Sequence, residues 1–277
     1  MPAFNTISAD KLARLIGLPG APTIIDVRSD EAFAEDPRLI PGSIRRSHGD
    51  VAFWGRELDC HSAVVTCQKG MELAHGVAAL LRNQGIRAEA LEGGAKGWAA
   101  AGLPMVPEAK LPPRDAQGRT IWVTRSRPKV DRIACPWLIR RYVDPNALFL
   151  FVPPSDVFGV AEKFSAAPFD IDGEDVLWSH RGELCTFDVM VEELGLSGLP
   201  ALQHLAIIVR GADTAHLEIA PQAAGLLAVS LGLSRMYAED LEQLEAGLIV
   251  YDALYRWCRD ASDETHDWVS HKAKVKA

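Results

Sequence analysis

Residues 63–72 read Ala-Val-Val-Thr-Cys-Gln-Lys-Gly-Met-Glu, in which an apolar, β-branched run gives way to a short loop containing glycine. The run predicts a buried strand, and the helical spacing of apolar residues over 72–84 predicts a helix that begins where the loop ends. Ligands of open α/β sheets bind at the carboxyl ends of the strands. The segment between strand and helix is therefore a candidate active-site loop, made of Cys67, Gln68, Lys69, Gly70, Met71 and Glu72.

Cys67 is the residue of this loop with distinctive chemistry. A tight loop ahead of a helix points successive backbone N–H groups at one atom, and the helix N-terminus favours negative charge there. A thiolate in such a place is stabilised and is a ready nucleophile. The alternative is that Cys67 is only a small buried residue at the end of a strand.

The residues around this loop alternate between strand and helix patterns. Strands are expected over 23–27, 63–66 and 88–91, and helices over 8–16, 72–84 and 93–98. Such alternation predicts an α/β fold with a parallel sheet whose two faces are both covered by helices. We assign this pattern to a first domain of residues 1–105.

A change in composition follows the first domain. Residues 104–119 hold four prolines and no apolar periodicity, which predicts a Pro-rich linker over 106–119. We expect a mainly helical α+β second domain of residues 120–277, ending in a basic tail at 271–276. Its strands are expected at 120–124 and 148–152, and its helices at about 131–142, 186–194, 200–209, 221–231 and 238–259.

The composition limits the class of protein. The chain has 277 residues, of which 48% are hydrophobic and 24% charged, as in globular proteins with a real core. Its net charge of −8 argues against nucleic acid as a partner. No apolar run approaches the roughly 18 residues of a membrane span, and the start lacks signal-peptide features, so no membrane association is expected. Five cysteines without Cys-x-x-Cys pairs favour a cytoplasmic location, and oligomeric state is left open.

A set of short motifs before the linker has a recognisable order and spacing. They are Ile24-Ile25-Asp26-Val27-Arg28, Glu31, Phe33, Ile40-Pro41-Gly42-Ser43, Val64-Val65-Thr66-Cys67, Leu91-Glu92-Gly93-Gly94, Gly97-Trp98 and Ala101-Gly102-Leu103-Pro104. Together they strongly resemble the rhodanese family of sulfurtransferases. The resemblance implies a rhodanese-like parallel sheet in the first domain, with Cys67 as a sulfur-accepting nucleophile that forms a persulfide.

The same resemblance implies further properties of the site. Asp26 and Arg28 would brace the active loop, and a purely structural ion pair is the equal alternative. The expected activity is that of a thiosulfate sulfurtransferase-like enzyme, which requires no cofactor beyond the cysteine persulfide. Its partners would be a small sulfur donor and a thiol or cyanide-like acceptor.

Glu72 departs from the rhodanese pattern. Family loops often carry arginine at this position, where a guanidinium would hold an anionic donor such as thiosulfate. Glu72 places a negative charge there instead, so another persulfide is the alternative donor. A second interpretation is that Glu72 only complements the N-terminus of the helix.

Residues 122–141 are unusually basic, with six basic residues against one acidic residue. Arg125, Arg127 and Lys129 fall in the predicted loop between a strand and a helix, where an anion binds readily. Together with Arg132 and Cys135, they are candidates for an oxyanion site. The alternative is that the arginines form salt bridges with acidic residues and that Cys135 lies in the core.

Motifs of the second domain carry another resemblance. They are Arg127-Pro128, Asp131-Arg132-Ile133-Ala134-Cys135-Pro136-Trp137-Leu138-Ile139-Arg140-Arg141, Asp144-Pro145, Pro168-Phe169-Asp170, His180, Cys185-Thr186-Phe187, Ile208-Val209, Asp213 and Tyr251-Asp252-Ala253-Leu254-Tyr255. They resemble the C-terminal domain of chromate-resistance proteins of the ChrB type. That family is linked to chromate sensing and resistance, and a rhodanese-like domain stands here in place of the family's DNA-associated N-terminal module.

His180, Cys185, Asp213 and His216 are candidates for a mixed nitrogen, sulfur and oxygen metal site. Asp213 and His216 are three residues apart, a spacing at which two side chains share one face of a helix. The four residues form no compact ligand motif, so the sequence leaves the metal content open. The alternative is a buried histidine and cysteine together with surface acids.

Two functions are consistent with these patterns. The first is a cytoplasmic sulfurtransferase that passes sulfane sulfur through a Cys67 persulfide and is linked to chromate resistance. The alternative is a sensor or binding protein for an oxyanion such as chromate or sulfate, in which the rhodanese module is regulatory or inactive. The presence of Cys67 favours the first function, and Glu72 favours the second.

Overall fold

A computed structural model of the chain describes residues 5–58 and 60–264, so the basic tail predicted at 271–276 lies outside the described residues. The first part of the chain is built of short strands and helices in alternation. Its strands are β1 (Thr6–Ile7), β2 (Thr23–Asp26), β3 (Arg38–Leu39), β4 (Ser43–Arg45), β5 (Ser62–Thr66), β6 (Arg87–Leu91) and β7 (Val106–Pro107). Its helices are α1 (Ala9–Ala13), α2 (Asp30–Glu35), α3 (Val51–Trp54), α4 (Glu72–Asn83) and α5 (Gly94–Ala100).

Five of these strands form one parallel sheet, in the order β1-β6-β5-β2-β4. Successive residues of the central strands point to opposite faces. Ile24 and Val64 therefore pack in one apolar cluster with Trp98 of α5, whereas Ile25 and Val65 pack in another with α3 and α4. Helices cover both faces, so the predicted α/β fold of this part is confirmed.

The second part of the chain is mainly helical, as predicted. Its strands are β8 (Ile121–Arg125), β9 (Leu148–Val152) and β10 (Ala167–Pro168). Its helices are α6 (Asp131–Tyr142), α7 (Val157–Phe164), α8 (Thr186–Glu193), α9 (Pro200–Asp213), α10 (Ala223–Met236) and α11 (Asp240–Asp260). The three strands form a parallel sheet in the order β10-β8-β9. β10 was not predicted, because two residues carry no periodic pattern.

α6 is the central helix of the second part. The successive residues Trp137, Leu138 and Ile139 are each 0% exposed although their side chains point about 100° apart around the helix, as expected for a helix that is buried on all sides. The indole N–H of Trp137 donates to Asp252 of α11 at 2.8 Å, and Arg141 forms an ion pair with the same carboxylate. These contacts fix α6, and with it the position of Asp131 at its N-terminus.

The segment 106–119 differs from the linker that the sequence predicts. It begins with β7, which pairs antiparallel with β3. Further along, the Lys110 ammonium lies 2.7 Å from the Glu193 carboxylate, and Arg114 forms a backbone bridge with Thr120. The segment is therefore packed against both parts of the chain. Proline is compatible with a two-residue ribbon at an edge, and such short pairing leaves no apolar periodicity in the sequence.

The two parts of the chain share one apolar core. A single cluster of buried residues includes Trp98 and Met105 from the first part together with Trp137 and Tyr142 from the second. Gly17 lies so close to the ring of Tyr142 that a Cβ atom there would overlap it. The two domains predicted from the sequence are therefore joined by a buried contact. Within residues 5–58 and 60–264, no helix combines the length and the apolar character that a membrane span requires.

Candidate functional site

Cys67 lies directly after β5, the central strand of the five-stranded sheet, and α4 begins at Glu72. The candidate loop therefore occupies the predicted place, at the carboxyl end of a parallel strand. Cys67 is 5% exposed, so its thiol is largely shielded from water. The loop is short, and its contacts with neighbouring segments determine its conformation.

The N-terminus of α5 holds the Cys67 loop. The N–H groups of Ala95 and Lys96 donate to the carbonyl oxygens of Cys67 and Gln68 at 2.9 and 3.1 Å. Gly94 has a φ of 59°, and a Cβ atom there would overlap the carbonyl oxygen of Cys67. Glycine is therefore required at this position both for its backbone conformation and for the close approach of the two segments.

The backbone N–H groups of residues 68–71 have no acceptor within the described part of the chain. The carbonyl groups of the loop take up the bonds from α5, which leaves these donors available. The first N–H groups of α4 are also without partners inside the helix, as at every helix N-terminus. The loop thus presents several unpaired donors beside a thiol, which is an environment suited to a thiolate or to a bound anion.

Charged side chains surround the loop. The Gln68 amide donates to the Glu35 carboxylate at 2.8 Å, and the Lys96 ammonium lies 3.2 Å from the same carboxylate. Lys69 and Glu72 are exposed. Glu72 has no ion-pair partner within the described residues, so its charge is available to act on an approaching ligand.

Asp26 and Arg28 form a buried ion pair at the end of β2, with both side chains 1% exposed. Arg28 donates to both carboxylate oxygens and also to the carbonyl oxygens of Asp36 and Arg38. The hydrogen bonds of this pair thus brace the turn after α2. The loop at Cys67 is held by α5 instead, so the role in loop bracing that the sequence suggests is not seen in the hydrogen bonds.

The guanidinium groups of Arg125 and Arg132 converge on one carboxylate. Arg125 lies 3.0 Å and Arg132 lies 3.2 Å from the same oxygen of Asp170. Arg132 also donates to the carbonyl oxygens of Arg125 and Ser126. Asp170 therefore balances part of the positive charge that the sequence places in this loop.

The other candidate anion ligands are dispersed. Arg127 donates to the carbonyl oxygen of Ser234, and its backbone N–H donates to Asp240. Lys129 is exposed and has no ion-pair partner within the described residues. Cys135 is fully buried in α6, where burial raises the pKa of its thiol well above the usual value. These residues do not converge on a common point with Arg125 and Arg132.

A separate cluster of four ionisable side chains lies beside this loop. Asp131 begins α6, Asp170 follows β10, His180 lies in the loop before α8, and Asp213 ends α9. The Nε2 atom of His180 is 3.7 Å from Asp131 Oδ2, 3.5 Å from Asp170 Oδ1 and 3.2 Å from Asp213 Oδ2. One donor atom from each residue lies within 4.8 Å of the others.

Burial divides the cluster into an inner and an outer side. The side chain of Asp131 is 0% exposed and that of Asp170 is 8% exposed, whereas the His180 side chain is 39% exposed. Burial and the charges of Asp213 and Asp170 raise the pKa of Asp131 well above its usual value. Burial also acts to raise the pKa of Asp170, but hydrogen bonding to His180 and the charge of Arg125 outweigh it and lower that pKa. Hydrogen bonds to Asp170 and Asp213 raise the pKa of His180 to about 10.

The backbone next to two of these residues is strained. Val130, directly before Asp131, has a φ of 24°, and Asp170 itself has a φ of 49°. Val130 is held from both sides, because its N–H donates to Ser230 and its carbonyl oxygen accepts from the hydroxyl of Tyr251. Such conformations persist only where the surrounding structure enforces them. The packing of α10 and α11 therefore sets the position of the cluster.

Two of the four predicted metal ligands, His180 and Asp213, belong to this cluster. Cys185 is buried at the N-terminus of α8, where its thiol donates to a carboxylate of the same helix, and burial raises its pKa far above the usual value. His216 is exposed, and its Nδ1 atom lies 3.1 Å from Glu218. The structure therefore does not bring Cys185 and His216 into the cluster.

Sequence reasoning did not assign Asp131 and Asp170 to a site. Both residues follow strands of the parallel sheet, Asp170 two residues after β10 and Asp131 after the loop that leaves β8. The rule that ligands bind at the carboxyl ends of such strands would have identified them, had β10 been recognised.

Comparisons with known proteins divide the chain in the same way. Residues 8–101 match the rhodanese-like domain family, and residues 122–258 match the ChrB C-terminal domain family. Protein ChrB of Cupriavidus metallidurans is 34% identical over 148 residues, which are 52% of this chain and 42% of that protein. The chain thus matches about two fifths of the length of this curated relative.

Solved structures resemble the first part of the chain. A rhodanese-related protein from Thermoplasma volcanium is 24% identical, with a TM-score of 0.33 over 38% of this chain and 100% of that chain. A thiosulfate sulfurtransferase from Pseudomonas aeruginosa is 27% identical, with a TM-score of 0.33 over 39% of this chain and 20% of that chain.

Proposed function

Because residues 8–101 are a rhodanese-like domain and residues 122–258 a ChrB C-terminal domain, we propose that the protein is a sulfurtransferase linked to chromate resistance. Sulfane sulfur is carried as a persulfide on Cys67. The observation that carries this proposal is the set of unpaired N–H donors at residues 68–71, beside the thiol. A persulfide anion is small and negatively charged, which matches what these donors can stabilise.

The proposed reaction has two displacement steps. The Cys67 thiolate attacks the outer sulfur of the donor, and the donor's sulfur–sulfur bond breaks with its electron pair on the leaving group, which is sulfite when thiosulfate is the donor. An acceptor thiolate or cyanide then attacks the outer sulfur of the persulfide. That sulfur–sulfur bond breaks, and its electron pair returns to Cys67 as thiolate. No other cofactor is required, since each step only exchanges sulfur between nucleophiles.

The oxyanion sensor is the less supported function. Its proposed ligands Arg125 and Arg132 already form ion pairs with Asp170, and binding an anion would require them to leave that carboxylate. Cys135 lies in the core and does not reach the loop surface. The geometry at Cys67 is therefore the stronger basis for a function.

Intact-mass spectrometry tests this proposal. The full chain is incubated with thiosulfate or, separately, with glutathione persulfide, and the expected product is an adduct of about 32 Da, one sulfur atom, that a reductant removes. Cys67→Ser should not form it, whereas Cys60→Ser, which changes another cysteine of the same domain, should form it fully. The proposal is overturned if the wild type forms no adduct with either donor, or if the adduct persists in Cys67→Ser.

A further inference from the structure

The cluster of Asp131, Asp170, His180 and Asp213 plays no part in the proposed chemistry at Cys67. We infer that these four side chains bind one divalent transition-metal ion, with three carboxylates and one imidazole as ligands. Carboxylate oxygens suit Mn²⁺, and imidazole suits the later ions of the same series. Mn²⁺ is thus the appropriate probe, since thiolates compete poorly for it.

The distances within the cluster match those between ligands of one ion. Metal bonds of about 2.1 Å place neighbouring ligand atoms about 3.0–3.5 Å apart. The His180 nitrogen lies 3.2 Å from Asp213, 3.5 Å from Asp170 and 3.7 Å from Asp131. All four donor atoms lie within 4.8 Å of one another, and ligand atoms on opposite sides of one ion lie about 4.2 Å apart, so shifts of about half an ångström would allow one ion to contact all four residues.

An unpartnered buried atom is independent evidence for a cation. Asp131 is completely buried, and its Oδ1 atom has no hydrogen-bond partner within the described residues. A buried acceptor without a partner destabilises a protein unless something satisfies it. The other oxygen of the same carboxylate accepts from the N–H of Phe187 and faces His180. An ion that this carboxylate binds through both oxygens would satisfy the free Oδ1 atom and offset the negative charge of the neighbouring carboxylates.

The surrounding side chains orient the carboxylates in the way that outer partners orient metal ligands. Asp170 accepts a hydrogen bond from Thr186 on one oxygen and ion pairs from Arg125 and Arg132 on the other. The two arginines offset part of the excess negative charge of three carboxylates. With a divalent ion and a neutral imidazole in place, the formal charges of the three carboxylates, the two arginines and the ion sum to +1.

The cluster is accessible from one side. The His180 side chain is 39% exposed and that of Asp213 is 18% exposed, whereas Asp131 closes the inner side. An ion would enter past His180, and water would complete its coordination from the same direction. Such an open position is typical of sites at which a bound ligand exchanges.

The test is a calorimetric titration of the chelator-treated full chain with MnCl₂, combined with elemental analysis after dialysis. We expect one Mn²⁺ per chain. His180→Gln and Asp213→Asn should weaken binding by at least about tenfold, since each removes a ligand. His216→Gln is the matched control, because it changes an exposed histidine outside the cluster and should bind like the wild type. Cys67→Ser should also bind like the wild type, which separates this site from the proposed sulfur chemistry.

Folding and metal binding are measured separately in this experiment. Circular dichroism of each variant shows whether it is folded, and His180→Gln alters the most exposed member of the cluster. The inference is overturned if the wild type takes up no Mn²⁺, which would leave Arg125, Arg132 and a protonated His180 as the cations beside the carboxylates. It is also overturned if folded His180→Gln and Asp213→Asn both bind Mn²⁺ as tightly as His216→Gln.

Discussion

The N–H group of Ala95 donates a 2.9 Å hydrogen bond to the carbonyl oxygen of Cys67. Through this bond the start of α5 supports the loop that carries the thiol, and Gly94 is the residue that lets the two segments approach. The geometry of the loop therefore depends on a helix that begins 27 residues further along the chain.

Substituting Gly94 tests this support. Gly94→Ala should reduce sulfur loading of Cys67 and destabilise the fold by roughly 1–3 kcal/mol, because the new Cβ overlaps the Cys67 carbonyl and the backbone is left-handed. Gly102→Ala is the control, since Gly102 also has a positive φ but has open space around it. Urea denaturation and intact mass are the measurements. Equal loading and stability in the two variants would show that the close approach has no effect.

Glu72 should determine donor choice. Its exposed charge stands at the start of α4, where it repels a dianion such as thiosulfate. We expect Glu72→Arg to raise kcat/KM for thiosulfate at least about tenfold, chiefly through KM, with a smaller gain at high salt. Glu57→Arg makes the same change of net charge at an exposed position elsewhere in this domain and should have little effect. Steady-state assays at two ionic strengths measure kcat/KM for thiosulfate in both variants. Unchanged thiosulfate kinetics in Glu72→Arg would mean that Glu72 does not face the donor.

The buried pair of Asp26 and Arg28 should contribute strongly to stability. Arg28→Ala leaves a buried carboxylate without its partner, which should destabilise the fold by about 3–5 kcal/mol. Arg38→Ala breaks a solvent-exposed pair with Asp36 and should cost less than about 1 kcal/mol. Denaturation midpoints of the two variants in urea provide the comparison. Similar small losses in both would contradict a structural role for the buried pair.

Cys258 should react slowly with alkylating agents near neutral pH. Burial raises the pKa of its thiol to about 11, so the reactive thiolate is scarce there. Its alkylation rate should rise roughly tenfold per pH unit between pH 7.5 and 9.5. Limited iodoacetamide treatment followed by peptide mass spectrometry measures this rate. A rate that is already constant across this range would contradict the raised pKa.

The sequence allowed the Cys67 loop to be located, because a buried β-branched strand, a glycine-containing loop and an amphipathic helix follow one another without interruption. It also allowed α6 to be placed, since its apolar residues mark a buried helix. Of the four residues in the acidic cluster, the sequence pointed to His180 and Asp213 only. Asp131, Asp170 and Asp213 come together through the two-residue strand β10, a strained backbone at Val130 and the packing of α9, and none of these leaves a local pattern in the sequence.

The pairing of Arg125 and Arg132 with Asp170 has a similar explanation. The excess of basic residues over 122–141 is visible in the sequence. The carboxylate that pairs with Arg125 and Arg132 is Asp170, which belongs to another segment and lies beside the neighbouring strand. Only the parallel arrangement of β8 and β10 brings them together. Charge counted along a window of sequence therefore overstated the free charge on the surface.

The buried contact around Tyr142 couples the stability of the two halves of the chain. Because Trp98 and Tyr142 belong to one core, opening either half exposes apolar surface of the other, so the two should exchange their amide hydrogens as one cooperative unit. Any ligand that stabilises the folded C-terminal half should then slow deuterium uptake in β5 and β6 as well. Residues that never touch that ligand would report its presence.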